Sequence, residues 1–160
     1  MKQLATIGVY GADLEAFLVA LERANVRRLL DLRQRRGVRG SEYSWANAQR
    51  LERELREAGI DYSHHKALAP TTELRHLQYA EDARLGVAKR SRATLAPLFV
   101  ARYESEILDA VDLRPIVAAM PQDAATALLC VERDAEACHR SLVARRLGRE
   151  FGMTVLDLRP

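Results

Sequence analysis

The sequence predicts a three-layer α/β fold. It has a mainly parallel sheet of about five strands, helices on both faces, and a helical insertion before the fourth strand. Three observations predict it. Short apolar runs of strand length alternate with longer segments whose apolar residues recur every three or four positions. The first thirty residues contain a complete strand–helix–strand unit, which implies parallel pairing and a right-handed crossover. The stretch from Ala124 to Arg149, AATALLCVERDAEACHRSLVARRLGR, passes from a wholly apolar run into a helix-spaced one, the pattern of a buried strand followed by its helix.

Taken in order, Leu4 to Tyr10 (LATIGVY) reads as the first strand, closed by Gly11. Asp13 is placed to cap a helix whose inward face is Leu14, Phe17, Leu18 and Leu21,. Asn25 ends that helix, and Val26 to Leu32 is the second strand. The turn after the first strand has no glycine-rich phosphate fingerprint, and Gly8 and Gly11 alone are too weak to indicate a dinucleotide. A loop with four arginines and two glycines follows, Arg33 to Gly40. Ser44 is expected to cap a helix with Ala48, Leu51 and Leu55 inward. Gly59 ends it, and Ile60 to His64 is a short third strand. The segment from about 71 to 120 is helical in pattern, with Thr71 or Thr72 as its first cap. Leu74, Leu77 and Ala80 share one face. Leu95, Leu98, Phe99, Arg102, Tyr103, Ile107 and Val111 form a second helix with Pro97 in its first turn, and Asp112 to Met120 a third. Ala127 to Val131 is the fourth strand. Asp134 is expected to cap the next helix, with Cys138, His139, Leu142, Val143, Leu147 and Phe151 inward. Met153 to Leu158 is the final strand.

The 160 residues suit one domain, 1–160, with one core,. Hydrophobic residues make up 48% and charged residues 29%, values of an ordinary globular chain. No run approaches the ~18 apolar residues of a membrane helix. The opening MKQLATIGVYG contains no targeting segment, so the expected location is the cytoplasm. Two cysteines do not make a disulfide framework,. The net charge of +3, carried mostly by arginine, is compatible with a phosphate-bearing partner.

If the strands are parallel, each delivers polar residues to one edge of the sheet, where ligands bind in open α/β folds. These are Tyr10, then Asp31 and Arg33, then His64 and His65, then Cys130 and Glu132, then Asp157 and Arg159. Asp31 and Arg33, two apart, point to the same side of a strand. They are either a buried ion pair or an acid–base and anion-binding pair. Arg35, Arg36 and Arg39 are either a solvated loop or a phosphate-contact surface joined by Lys89, Arg90 and Arg92. Tyr43 and Trp45 are either base-stacking groups or, for Trp45, a core residue. One of His64 and His65 faces inward and is a candidate base. Cys130 reads first as core. Cys138, in the first turns of a helix, gains acidity from the helix end and a base from His139 or His64. His139 needs a hydrogen-bond partner, with Asp31 and Glu132 the nearest by topology. A metal reading joins Cys130, Cys138, His139 and a histidine of the third strand. Their spacing matches no common zinc pattern, and no metal is assigned.

Thr6-Ile7-Gly8, Asp31-Leu32-Arg33, Gly59-Ile60-Asp61-Tyr62 with His64, and above all Leu128-Leu129-Cys130-Val131-Glu132 with Cys138-His139-Arg140 resemble the bacterial and archaeal DUF488 proteins, a family named for its unknown function. The likeness spans nearly the whole chain. It departs at two loops: Gln34 to Gly40 replaces the usual Pro and Ser, and Ala69-Pro70 replaces the usual glycines. The resemblance implies a compact α/β fold with these residues along one edge, and supplies no reaction.

The leading expectation is an enzyme or ligand-binding domain acting on a phosphate-bearing substrate, a nucleotide or nucleic acid. Asp31, Glu132 and His139 would form its acid–base group, with Cys138 a reactive or supporting thiol and His64 a further candidate. Arg33 and Arg140 would bind the anion, with Arg35, Arg36 and Arg39 beside them. Arg33→Ala would then abolish binding without much loss of melting temperature. One alternative is a non-catalytic nucleic-acid-binding module built on the arginine loop. Another is a thiol redox or metal site. The sequence identifies no cofactor, no membrane association and no oligomeric state.

Overall fold

The computed structural model describes residues 2–88 and 91–160. Lys89 and Arg90, expected on the basic surface, lie outside the described residues. Five strands form one all-parallel sheet: β1 (Gln3–Ile7), β2 (Val26–Asp31), β3 (Asp61–His64), β4 (Ala125–Leu129) and β5 (Thr154–Asp157), in the order β3-β2-β4-β1-β5. Among the described residues six α-helices connect them: α1 (Leu14–Arg23), α2 (Ala48–Glu57), α3 (Thr72–Leu85), α4 (Pro97–Glu106), α5 (Arg114–Ala118) and α6 (Arg140–Phe151). The predicted fold class is therefore the observed one. No helix among the described residues is long and apolar enough to cross a membrane.

The two faces of the sheet explain the strand sequences. Alternate residues point to opposite sides. Ala5, Ile7, Leu29, Ala127 and Leu129 pack with Phe17 and Leu21 of α1 and Leu51 and Leu55 of α2. Leu4, Leu30 and Leu128 pack with Leu74 of α3, Phe99 and Tyr103 of α4, and Leu142, Val143 and Leu147 of α6. β4 is buried along its whole length, because it has a strand on each side and helices on both faces. β5 is an exposed edge strand. Helices leaving β1 and β2 cover one face and the helix leaving β4 covers the other, so the connections diverge at the carboxyl ends of the central strands and leave a crevice there.

Four local expectations change. Ser44 lies inside a 3-10 turn, Ser41–Ala46, and α2 starts after Asn47. Asp134 precedes only a 3-10 turn, Ala135–Ala137, and its side chain accepts no capping hydrogen bond. The chain is still extended at Cys138 (φ −136°, ψ 147°), and α6 starts after His139. Cys138 therefore stands just ahead of the helix and not in its first turns. The buried face of α3 is Leu74, Gln78 and Asp82, while Leu77 is half-buried and Ala80 exposed. Apolar spacing misjudged this face because two of its three inward residues are polar. By contrast Asp13 caps α1 through Ala16 N (2.8 Å), and Thr71 caps α3 through Leu74 N (3.2 Å).

One glycine fixes the geometry of the edge. A Cβ at Gly8 would stand 1.9 Å from the Glu132 carbonyl oxygen, so only glycine lets the end of β1 lie against the loop after β4. Val9 N and Tyr10 N both donate to Val131 O, at 2.9 and 3.0 Å, and hold that loop from the same side.

Candidate functional site

A cavity of about 670 Å³ opens at the carboxyl ends of β2 and β4, within the size range of small-molecule sites. Its floor is Cys130, Val131, Glu132, Ala137, Cys138 and His139. One wall is the loop after β2, with Arg33, Gln34, Arg35, Gly37, Val38 and Arg39. The roof comes from the helical insertion, with Arg75, Gln78 and Tyr79 of α3, then Arg92, Leu95 and Phe99. Tyr10 joins from the end of β1.

The floor is built where β4 stops and the next turn returns to the sheet. His139 is anchored by its Nε2, 2.9 Å from the Leu32 carbonyl. A carbonyl only accepts, so Nε2 carries the proton, and Nδ1 turns to the two sulfurs. It lies 3.5 Å from Cys130 Sγ and 3.6 Å from Cys138 Sγ. The partner of His139 is thus a backbone carbonyl with two thiols, and not the Asp31 or Glu132 carboxylate expected from topology. Cys130 Sγ also lies 3.2 Å from Glu132 Oε2. Both cysteines are free and buried.

The electrostatics of the trio follow from these contacts. Burial alone would raise the Cys130 thiol, but the hydrogen bond from Cys138 and the charge of His139 outweigh it and hold Cys130 well below the ordinary thiol range. Burial raises Cys138, and the hydrogen bond to Cys130 and its charge raise it further. Burial would lower His139, but the neighbouring Cys130 charge and hydrogen bond and the Leu32 carbonyl raise it. Cys130 is thereby the more acidic of the two thiols, and His139 Nδ1 is the base beside it.

Two buried ion-pair networks flank the floor. On one side Arg33 Nε and Nη2 grip both oxygens of Asp31 at 2.9 and 2.8 Å, and Nη1 donates to Ala46 O at 2.8 Å. The Tyr62 hydroxyl donates to Asp31 Oδ2 at 2.6 Å. Burial, foremost, pushes the Tyr62 phenol up to about 12; the Arg36 hydrogen bond works against it and the bond to Asp31 with it. On the other side Arg92 binds Asp82 through Nε and Nη2, Glu132 Oε1 at 3.3 Å and Ala137 O at 3.1 Å. Gln78 completes this network by donating to Asp82 Oδ1 (2.9 Å) and accepting from Ala96 N (2.8 Å). Arg92 ties the roof to the floor.

The remaining sequence-predicted residues divide clearly. Arg35 and Arg39 line the cavity and are exposed. Arg36 turns to the Tyr62 hydroxyl at 3.4 Å. Arg140 is fully buried, and its guanidinium donates to the Glu132 and Arg133 carbonyls at 2.6 and 3.0 Å, so it fastens the loop and is not part of the cavity lining. Asp31 is fully buried against Arg33. His64 Nε2 sits 2.7 Å from the Arg33 carbonyl, outside the lining, and His65 bonds Ser63 Oγ. Asp157 accepts from Thr6 Oγ1, and Arg159 pairs with Asp134 and Glu136, so the end of β5 points elsewhere. Trp45 is core, 4.8 Å from the Phe17 ring. Tyr43 packs on Tyr10 and accepts from Gly11 N. Arg92, expected on a basic surface, is buried and ion-paired. Arg75, Gln78 and Tyr79 were not anticipated. The polar i, i+4 pair Gln78 and Asp82, on the face of Leu74, was the available signal.

The family model for the domain of unknown function DUF488 matches residues 13–147. The chain belongs to the DUF488 family. Comparison with curated proteins and with solved structures finds no match. The matched span runs from the cap of α1 through most of α6 and contains every residue of the floor and both flanking networks.

Proposed function

We propose that the cavity takes a phosphate-bearing small molecule, of nucleotide size, with its anionic end toward the arginines and its reactive atom over the Cys130–Glu132–Cys138–His139 floor. The observation that carries this reading is the lining itself: five arginines against a single carboxylate, Glu132. Arg33 and Arg92 are already matched by Asp31 and Asp82. Arg75 is held by neutral partners, Gln34 Oε1 at 2.7 Å and the Tyr79 hydroxyl at 3.0 Å, so its charge is uncancelled by a hydrogen-bonded carboxylate. Guanidinium groups suit phosphate geometry. Tyr10, Tyr79 and Phe99 offer aromatic surface for a base,.

Calorimetric titration with inorganic phosphate, AMP and ADP tests this. Binding is expected to survive in Leu98→Ala, a surface variant away from the lining, and to weaken ~10-fold or more in Arg75→Ala, in keeping with loss of one charge-assisted contact. The Arg75 variant should keep its melting temperature. No heat from any of the three ligands, or equal affinity in the Arg75 variant, would remove the reading. Arg33→Ala is unsuited to this test, because it strands a buried carboxylate.

A further inference from the structure

The floor carries a second property that the arginine lining does not require. We infer that Cys130 Sγ, Cys138 Sγ and His139 Nδ1 form a binding site for one divalent zinc ion, with its fourth position open to the cavity.

The two sulfur-to-nitrogen separations are those of a tetrahedral donor set. A tetrahedral zinc with bonds of about 2.3 Å to sulfur and about 2.0–2.1 Å to nitrogen sets sulfur-to-nitrogen separations of roughly 3.5–3.6 Å. The two separations here are 3.5 and 3.6 Å. All three donor atoms lie within 4.8 Å of one another, and all three residues are buried. Metal-binding histidines donate their other ring proton to a carbonyl or carboxylate, which fixes ring and tautomer. His139 meets that requirement through Leu32 O at 2.9 Å.

The backbone also explains why the spacing escapes sequence patterns. Cys130 follows the last residue of β4, and Cys138 and His139 are adjacent. The extended backbone at Cys138 (φ −136°, ψ 147°) and the helical one at His139 (φ −60°, ψ −19°) let two consecutive residues reach the same point. The loop between the sulfurs is clamped by Arg140 and by Gly8, Val9 and Tyr10, so the donors are held before any ion arrives. Charge favours the ion too. Two thiolates and a neutral imidazole balance one Zn²⁺, so the occupied group is neutral and buries no uncompensated charge.

Three protein donors with an open fourth position are the arrangement of catalytic rather than structural zinc. Glu132, with Oε2 at 3.2 Å from Cys130 Sγ, lines the same cavity and would hold a water at that position. The metal site stands on the trio's own distances. Only its use against a bound phosphate rests on the reading above.

Cobalt substitution of the full chain tests the site. Protein stripped with a chelator under reductant is expected to take up one equivalent of Co²⁺, with the intense visible bands of a tetrahedral ion and thiolate-to-metal charge transfer, and to lose them on adding Zn²⁺. Cys138→Ser and His139→Ala should each weaken zinc by more than the ~10–100-fold that loss of an outer partner costs. If those variants fail to fold, alkylation of the wild-type thiols decides. Zinc should slow modification of both cysteines together. Weak octahedral cobalt bands, unchanged alkylation, or a Cys130–Cys138 disulfide with no metal uptake would each overturn the site. The two readings fail separately. Phosphate binding by metal-free protein without a cobalt signature sinks the metal site alone, and a tetrahedral cobalt signature without phosphate affinity sinks the phosphate reading alone.

Discussion

Asp31 and Arg33 are two residues apart on one strand end, whereas Arg92 reaches ten residues back to Asp82 and forty forward to Glu132. Both pairs are buried, yet they do different things. The first is a local clip. Its arginine grips both carboxylate oxygens and the Ala46 carbonyl, so it sets the path of the loop after β2. The second is a joint between parts made far apart, the α3 roof and the β4 floor. A buried ion pair adds little net stability when formed but costs much when half of it is removed. The position of the pair, more than its strength, is therefore what separates a clip from a joint. The clip borders the site, while the joint closes it.

Breaking each pair should expose that contrast. Arg33→Ala has the largest expected effect. It leaves Asp31, fully buried, with the backbone N–H of residue 33 and the Tyr62 hydroxyl but without its bidentate guanidinium, and should cost ~3–5 kcal/mol in denaturant titration. Arg92→Ala should cost less, about 3 kcal/mol, because the Asp82 side chain keeps 6% exposure against 0% for Asp31 and Gln78 still donates to it. It should in addition raise proteolytic cleavage around α3, which the Arg33 variant should not do selectively. A comparable cleavage pattern in both variants would erase the distinction between them.

Tyr62→Phe is the smallest and sharpens the local half. It removes the 2.6 Å hydrogen bond to Asp31 and should cost ~1–2 kcal/mol near neutral pH. It should also flatten the alkaline limb of the stability curve. The phenol is pushed up to about 12 in the folded chain, chiefly by burial, against about 10 when unfolded. The folded state then holds its proton where the unfolded state has lost it. The stabilisation is complete below pH 10 and falls away as pH rises towards 12. An unchanged alkaline limb in the Phe variant would assign that loss to other groups.

The same contrast explains what could be read in advance. Strand positions, the parallel sheet and the Asp31–Arg33 pair are legible because they follow from apolar runs and from spacing within one strand. Thr71 and Asp13 are legible as caps because a short polar side chain ahead of a helical run has few other uses. The joint is hidden because its members lie in three segments, and because Gln78 and Asp82 disguise the inward face of α3 as an outward one. The start of α6 is misplaced because Asp134 resembles a cap while the chain stays extended through Cys138. The floor was legible as a list of residues but not as a geometry. Nothing in the spacing of Cys130, Cys138 and His139 specifies the direction of the His139 ring, which is decided by the Leu32 carbonyl just beyond β2. Arg140 shows the reverse error. Its charge suggested a ligand, and burial turned it to two backbone carbonyls instead.

The order of the strands has a consequence for how the chain comes together. β1 and β2 do not touch as partners, because β4 is inserted between them. Residues 125–129, far along the sequence from both β1 and β2, are therefore the keystone of the sheet. Until the ribosome has released them, β1 has no neighbour on that side, and Leu32 has no imidazole to receive. A long loop must close before the central ladder gives any return, which is the situation in which folding is slow. The floor of the cavity, at 130–139, is thus made only after its wall and its roof.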